Sequence, residues 1–182
     1  MKIGRLLLRA VIGGLFIGHG TQKLFGWFGG PGLRGTEEMM KGLEMYPPRW
    51  QALAAGASET TGGALLAAGL ATPLAAADLI GVMATAIRKV HLANGPWNTN
   101  GGYEYHLVLI AALLGLAEEG PGELSADHAL GIGASGTGWA LAALAAGLTG
   151  SALAIETGRR RAAARGGQQP SAEGTPEPAA RH

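Results

Sequence analysis

Apolar positions in this chain run in long blocks separated by short polar knots. Residues 6–22 contain one charge, Arg9; residues 51–77 contain only Glu59, 74–87 only Asp78, and 105–117 and 129–155 none. A helix on the surface of a water-soluble protein would interrupt such blocks with a charged stripe every three or four residues. None of these blocks is interrupted. About 20 mostly apolar residues cross the hydrocarbon of a bilayer, so the pattern predicts membrane helices over 6–22, 50–71, 74–92, 103–118 and 137–156. The fourth is short for a span, and the fifth is dominated by Ala and Gly. The first block follows a basic start but leads straight into polar residues with no small-x-small cleavage site before His19, which predicts a retained helix rather than a cleaved signal. Its Arg5 and Arg9 are expected to snorkel to the headgroups, and Gly14 and Gly18 to mark a helix contact.

Between the blocks, Gly29, Gly30, Pro31 and Gly32 break the chain, and residues 36–45 predict a short amphipathic helix. Thr36 would be its N-cap, with Glu37 and Glu38 at its positive end. Met39, Met40, Leu43 and Met45 would face the membrane or the bundle. Asn94-Gly95-Pro96 and Asn100-Gly101-Gly102 are turn signals around Trp97. Thr72-Pro73 makes a short turn, and Ser125 to His128 a polar connection. Gly131 to Gly136 spells G-x-G-x-x-G, but no strand precedes it, so it is not read as a dinucleotide fingerprint.

Antiparallel alternation of the predicted helices gathers the ionisable groups at one end. His19, Gln22 and Lys23 end the first helix; Glu59 lies about two turns into the second. Arg88, Lys89 and His91 end the third, and Tyr103, Glu104, Tyr105 and His106 open the fourth. Asn100 stands in the intervening turn. The opposite end is left with Asp78, Glu118 and Glu119. An ionisable residue inside a membrane is costly and marks a functional site by default. Glu59 could equally serve packing, paired with Lys23 or Lys89. For His19 and His91 the plain alternative is interfacial hydrogen bonding, and with no H-x-x-x-H or E-x-x-H pair a metal is not expected. His106 is the weakest candidate of the cluster and His128 a loop residue. Trp27, Trp50, Trp97, Tyr103 and Tyr105 suit an interfacial belt. No nucleophile–base spacing or phosphate loop is present, so a self-contained active site is not indicated. The cluster suits a flat amphipathic ring with exchangeable protons, such as a quinone: its carbonyls accept from His, Gln, Lys or Tyr, and nearby Glu and His could move the protons.

Composition narrows the partners. With 14 Lys+Arg against 13 Asp+Glu in 182 residues, the chain lacks the basic surface that nucleic acid requires. It has no Cys, hence no disulfide, thiolate metal site or redox thiol, and no cofactor is expected from the chain's own residues. The lipid bilayer is the first expected partner. Beyond Gly166 the tail is too polar to fold.

The stretches GHGTQKLFGWFGGPGLRGT at 18–36, Glu59-Thr60-Thr61-Gly62-Gly63 followed by Gly69-Leu70, and HLANGPWNTNGGYEYHLVL at 91–109 resemble the DoxX family of small membrane proteins, over residues 6–130. The resemblance implies an all-α integral membrane bundle of four helices, located in the inner membrane and multi-pass, with an Ala/Gly-rich fifth helix added in this chain. The domain reading is therefore 1–130 for the bundle, 131–158 for the added helix and 159–182 for a basic, then disordered tail. It also implies quinone-linked respiratory or oxidative-stress chemistry, as a subunit alongside a redox partner or soluble enzyme. The motif positions present are His19, Gln22, Lys23, Gly26, Gly29, Gly30, Pro31, Gly32, Glu59, His91, Asn94, Gly95, Asn100, Gly101, Gly102, Glu104 and Tyr105. Rival readings are a scaffold that docks soluble partners without a cofactor, and a small-molecule or proton carrier using Glu59. With five spans, every Lys and Arg except Lys2, Arg5 and Arg9 falls on the motif side; with four, the charge count decides nothing.

Overall fold

The computed structural model describes residues 3–166. Among them the chain is all-helical: α1 (Ile3–Phe25), α2 (Gly32–Gly42), α3 (Pro48–Ala68), α4 (Thr72–Ala86), α5 (Glu104–Glu119), the one-turn α6 (Ala126–Ala129) and α7 (Thr137–Gly166). α4 is prolonged by a π-helical stretch, Ile87–His91, and a 3₁₀ turn, Leu92–Asn94. By length and composition, α1 and Thr137–Arg165 of α7 are apolar enough to cross a membrane.

α1 lies along α3, α4 packs between α3 and α5, and α7 covers α4 and α5 from outside. The α1–α3 contact is built from small residues, though not the expected pair. Gly14 and Gly18 have open space around them, whereas a Cβ on Gly13 would lie 2.5 Å from the Gly63 carbonyl and one on Gly20 would lie 2.6 Å from that of Gly56. Both pairs are seven apart, so two turns of each antiparallel helix meet backbone to backbone. Such approach supplies the close packing that membrane helices rely on in place of hydrophobic burial. The core between the helices is Ile12, Phe16, Leu66, Leu79, Ile80, Leu113 and Leu116, among others.

The bundle has two distinct ends. At the motif end lie the C-termini of α1, the α4 extension and α7, together with the N-termini of α3 and α5. Gly158 of α7 approaches Met45 there to 3.2 Å at the glycine's notional Cβ, and the Arg165 guanidinium lies 5.5 Å over the Tyr46 ring. At the opposite end, Thr137 Oγ1 donates to Glu118 Oε1 at 2.6 Å, fixing the start of α7 beside the end of α5.

Arg9, expected to reach for the headgroups, is instead turned into the protein, and the half-buried Arg5 lies against the end of α5. Arg9 is 1% exposed, donating from Nη2 to the Leu124 carbonyl at 2.6 Å, and Arg5 Nη1 donates to the Glu119 carbonyl at 2.7 Å. Cations are stabilised by the free carbonyls and partial negative charge at the end of a helix, which for Arg5 is α5, while Arg9 is held by a carbonyl of the loop that follows it. Asp127, expected in a polar connection, is likewise 1% exposed. Its carboxylate accepts from Ala71 N (2.7 Å), Thr72 N (3.1 Å) and Thr72 Oγ1 (2.9 Å), capping α4 from a residue far along the chain.

Thr36 is not an N-cap. The Pro31 break lets α2 begin at Gly32, so Thr36 lies inside the helix and donates to the Gly32 carbonyl at 2.9 Å. α7 runs past the expected end at 158 to Gly166, because Glu156 pairs with Arg159 (2.9 Å) and Arg160 (2.6 Å) one turn on and the following alanines favour helix. The expected unfolded tail, 167–182, lies outside the described residues.

Candidate functional site

A cavity of about 810 Å³ runs along α4 and its extension from Leu74 to His91, with most of its polar lining toward the motif end. Its walls are mostly apolar. α1, α2, α3, α4, α5 and α7 all contribute to them. The polar groups on it are His19 and Lys23 from α1, Gln51, Ser58 and Glu59 from α3, and Asp78 and Thr85 from α4. Lys89 and His91 come from the α4 extension, Asn98 from the loop, Tyr105 and His106 from α5, and Ser151 from α7.

Glu59 sits where its own helix is closest to α1. Its side chain keeps 4% of its exposure and its Oε2 accepts from Lys23 Nζ at 2.6 Å, while Lys23 keeps 22%. Of the two partners the sequence allowed, the structure chooses Lys23. Among the described residues Lys89 makes no ion pair. It faces the cavity because the π-helical stretch adds a residue to its turn, which brings residues 89, 90 and 91 all to the wall.

The histidines are held in defined orientations. His91 Nδ1 lies 2.7 Å from the Gly101 carbonyl, which can only accept, so Nδ1 carries the proton and Nε2 of the neutral ring is an acceptor. His19 Nδ1 donates to Gln22 Oε1 at 3.1 Å, with the same consequence for its Nε2. His106 stacks on His91 with ring centroids 4.2 Å apart. The loop beneath them is tightly closed: Gly102 packs against the Gly95 carbonyl and Pro96 where a side chain would not fit, and Asn94 Nδ2 donates to the Gly101 carbonyl at 3.1 Å.

The structure thus brings together His19, Lys23, Glu59, Lys89, His91 and Tyr105 of the predicted cluster. Gln22 acts through His19. Asn100, Tyr103 and Glu104 do not line the cavity. Glu104 instead accepts from the Asn98 N–H at 2.7 Å and holds the loop. Gly29, Gly30, Pro31 and Gly32 form the expected turn, with Gly30 packed where a Cβ would sit 2.5 Å from Gln22 Cβ.

Two further residues lie on the wall. His106, the weakest candidate of the cluster, is one; the signal is that His91 and His106 bracket one loop, which brings their rings together at a tilt of 40°. Asp78, assigned to the opposite end, also lies on the wall. It is turned toward α3, where the absence of a Gly62 side chain leaves room for its carboxyl, since a Cβ there would lie 2.8 Å from Asp78 Oδ2. Position along the helix suggested its end; only the helix face could show its direction. The ionisable groups on the cavity are of both kinds, Lys23 and Lys89 with Glu59 and Asp78. Among the described residues, no group of three or more His, Asp or Glu is arranged to hold a metal.

A model of the DoxX family matches residues 4–92. The matched stretch holds His19, Lys23, Glu59, Asp78, Lys89 and His91, and stops before Tyr105, His106 and α7. The chain has no match among curated proteins or among solved structures. The family match together with the two long apolar helices makes this a helical membrane protein.

Proposed function

We propose, for a chain that belongs to the DoxX family, that it crosses the inner membrane several times and binds a quinone-like ligand in the cavity at its motif end. One observation carries this reading. A mostly apolar cavity of about 810 Å³, within the range of small-molecule sites, gathers hydrogen-bond donors and acceptors toward one end. Lys89 and the Tyr105 hydroxyl are donors suited to a carbonyl oxygen. His91 and His19 offer Nε2 lone pairs suited to a hydroxyl. The two redox forms of a quinone present these two faces in turn. Bound there, a quinone supplies two-electron chemistry, and the Lys23–Glu59 pair lies beside it as a group that can take up or release protons. A partner subunit or soluble enzyme exchanges electrons with it.

The charge distribution supports one orientation. Lys23, Arg34, Lys41, Arg49, Arg88, Lys89 and Arg159–Arg161 lie toward the motif end, against Arg5 and Arg9 at the other, so the motif end is cytoplasmic. Trp27, Trp50 and Trp97, each more than half exposed, ring that end as interfacial anchors. Protein extracted in mild detergent should carry stoichiometric quinone, read by chromatography of an organic extract, and lose it in Glu59→Gln and His19→Ala. Quinone-free protein that also fails to bind added decylubiquinone overturns the proposal.

A further inference from the structure

α7 lies outside the family match, yet it forms one side of the cavity through Ala146, Gly147, Gly150, Ser151 and Ala154. This wall differs from the others. It carries a single hydroxyl, Ser151, which is only 3% exposed and bonded to Thr85 Oγ1 at 2.9 Å, so it offers little to a polar headgroup. The facing part of α4 carries two polar groups, Asp78 and Thr85, the latter bonded to Ser151 and to the Gly81 carbonyl. Gly81 and Gly147 meet closely, a Cβ on Gly147 would lie 2.7 Å from the Ala77 carbonyl, and Asp78 is turned away toward α3. The strip from Ala146 to Ala154 is about 12 Å long. It is closed at the motif end, where Ala154 and Ile155 pack on Met40, Met45 and Ala52 and Gly158 meets Met45. From there it runs toward the middle of the bundle, with Gly150 and Ala146 still exposed.

Resting on the quinone reading, we infer that α7 is the tail wall of this site: the headgroup sits among His19, Lys89, His91 and Tyr105, and an alkyl or isoprenoid chain lies along Ala146–Ala154. Gly150 sets the width. A Cβ there meets nothing within 4 Å, in contrast to Gly147, so a side chain at 150 grows into the space of the tail and not into the protein. The segment beyond the family match therefore determines which tail is accepted, and leaves headgroup recognition to the matched part.

The test measures binding of the tail-less ubiquinone headgroup and of decylubiquinone to full-length protein in detergent. It compares wild type, Gly150→Leu, Ala146→Phe one turn away on the same strip, and Ala145→Leu on the exposed face as control. Displacing about two methylenes from the strip weakens binding roughly tenfold. Gly150→Leu and Ala146→Phe should each lose at least that factor for decylubiquinone and keep the headgroup affinity, and Ala145→Leu should match wild type. If both compounds weaken alike, or neither does, the tail-wall assignment is overturned while the quinone reading stands. Wild-type protein that binds neither compound overturns both. Melting curves show that the variants are folded; an Ala146→Phe protein with a wild-type melt still decides the matter if Gly150→Leu does not fold.

Discussion

Replacing Lys23 with Met puts the buried pair under the most demanding test. Lys23 Nζ and Glu59 Oε2 are 2.6 Å apart, but the two partners are unequally wrapped, with 22% and 4% of their side-chain exposure remaining. Removing the lysine strands a carboxylate that is almost wholly out of water. Breaking a buried pair in that way costs about 3–5 kcal/mol. Removing the carboxylate instead, as Glu59→Gln, leaves an ammonium that still reaches solvent and an amide oxygen that still accepts its hydrogen bond, so the cost is about 1–2 kcal/mol. In a chain of this size each kcal/mol moves Tm by roughly 2–4 °C. Lys23→Met should therefore lower Tm by about 6–20 °C and Glu59→Gln by about 2–8 °C. The double variant, with neither charge, should melt above Lys23→Met alone, the sign of direct coupling. Thermal unfolding of purified protein in one detergent, followed by circular dichroism, measures all three. Equal small shifts for the single variants, or a double variant that loses the sum of both, would refute the claim that Glu59 is a buried anion held by Lys23.

Other outcomes follow from the remaining contacts. Asp127→Asn keeps one acceptor oxygen for three donors at Ala71 and Thr72, which costs about 1.5–3 kcal/mol, and a Tm drop below roughly 2 °C would count against it as the cap of α4. His91→Ala removes the 2.7 Å bond to the Gly101 carbonyl; hydrogen exchange at the Gly102 and Tyr103 amides should quicken while that at Ile80 does not. Because the chain has no cysteine, single substitutions report topology directly. Asn98→Cys and Arg161→Cys should react only with reagents supplied from the cytoplasm, and Glu123→Cys only from the other side. Labelling of all three from one side would break the antiparallel arrangement.

Much of the bundle could be read from sequence because charge is so costly in an apolar block that its absence is informative. The existence of long apolar helices at α1 and α7 follows from that alone, and so does the meeting of His19, Lys23, Glu59 and His91, since each lies near a helix end whose direction alternation fixes. What escaped depended on rotation about the helix axis. Asp78 is near one end by count but faces the cavity, a matter of which side of α4 packs on α3. Lys89 reaches the wall through a π-helical turn that no residue pattern announces. Gly14 and Gly18 matched a contact motif, yet Gly13 and Gly20 make the contact, because in a chain with 32 glycines spacing cannot say which face is used. Arg9 was read as a lone cation bound for the headgroups; its partner, the Leu124 carbonyl, is a backbone group invisible to any side-chain pattern.

Asp127 has a bearing on how this protein is made. The turn between α3 and α4 has emerged from the ribosome long before the carboxylate that secures it, 55 residues later. Until then the Thr72 amide and hydroxyl lack that partner, and Arg9 lacks the Leu124 carbonyl. The early helices must wait in an unfinished state, and synthesis of the second half completes the first. Cutting the gene at the boundary of the matched segment would leave a chain unable to seal its own far end.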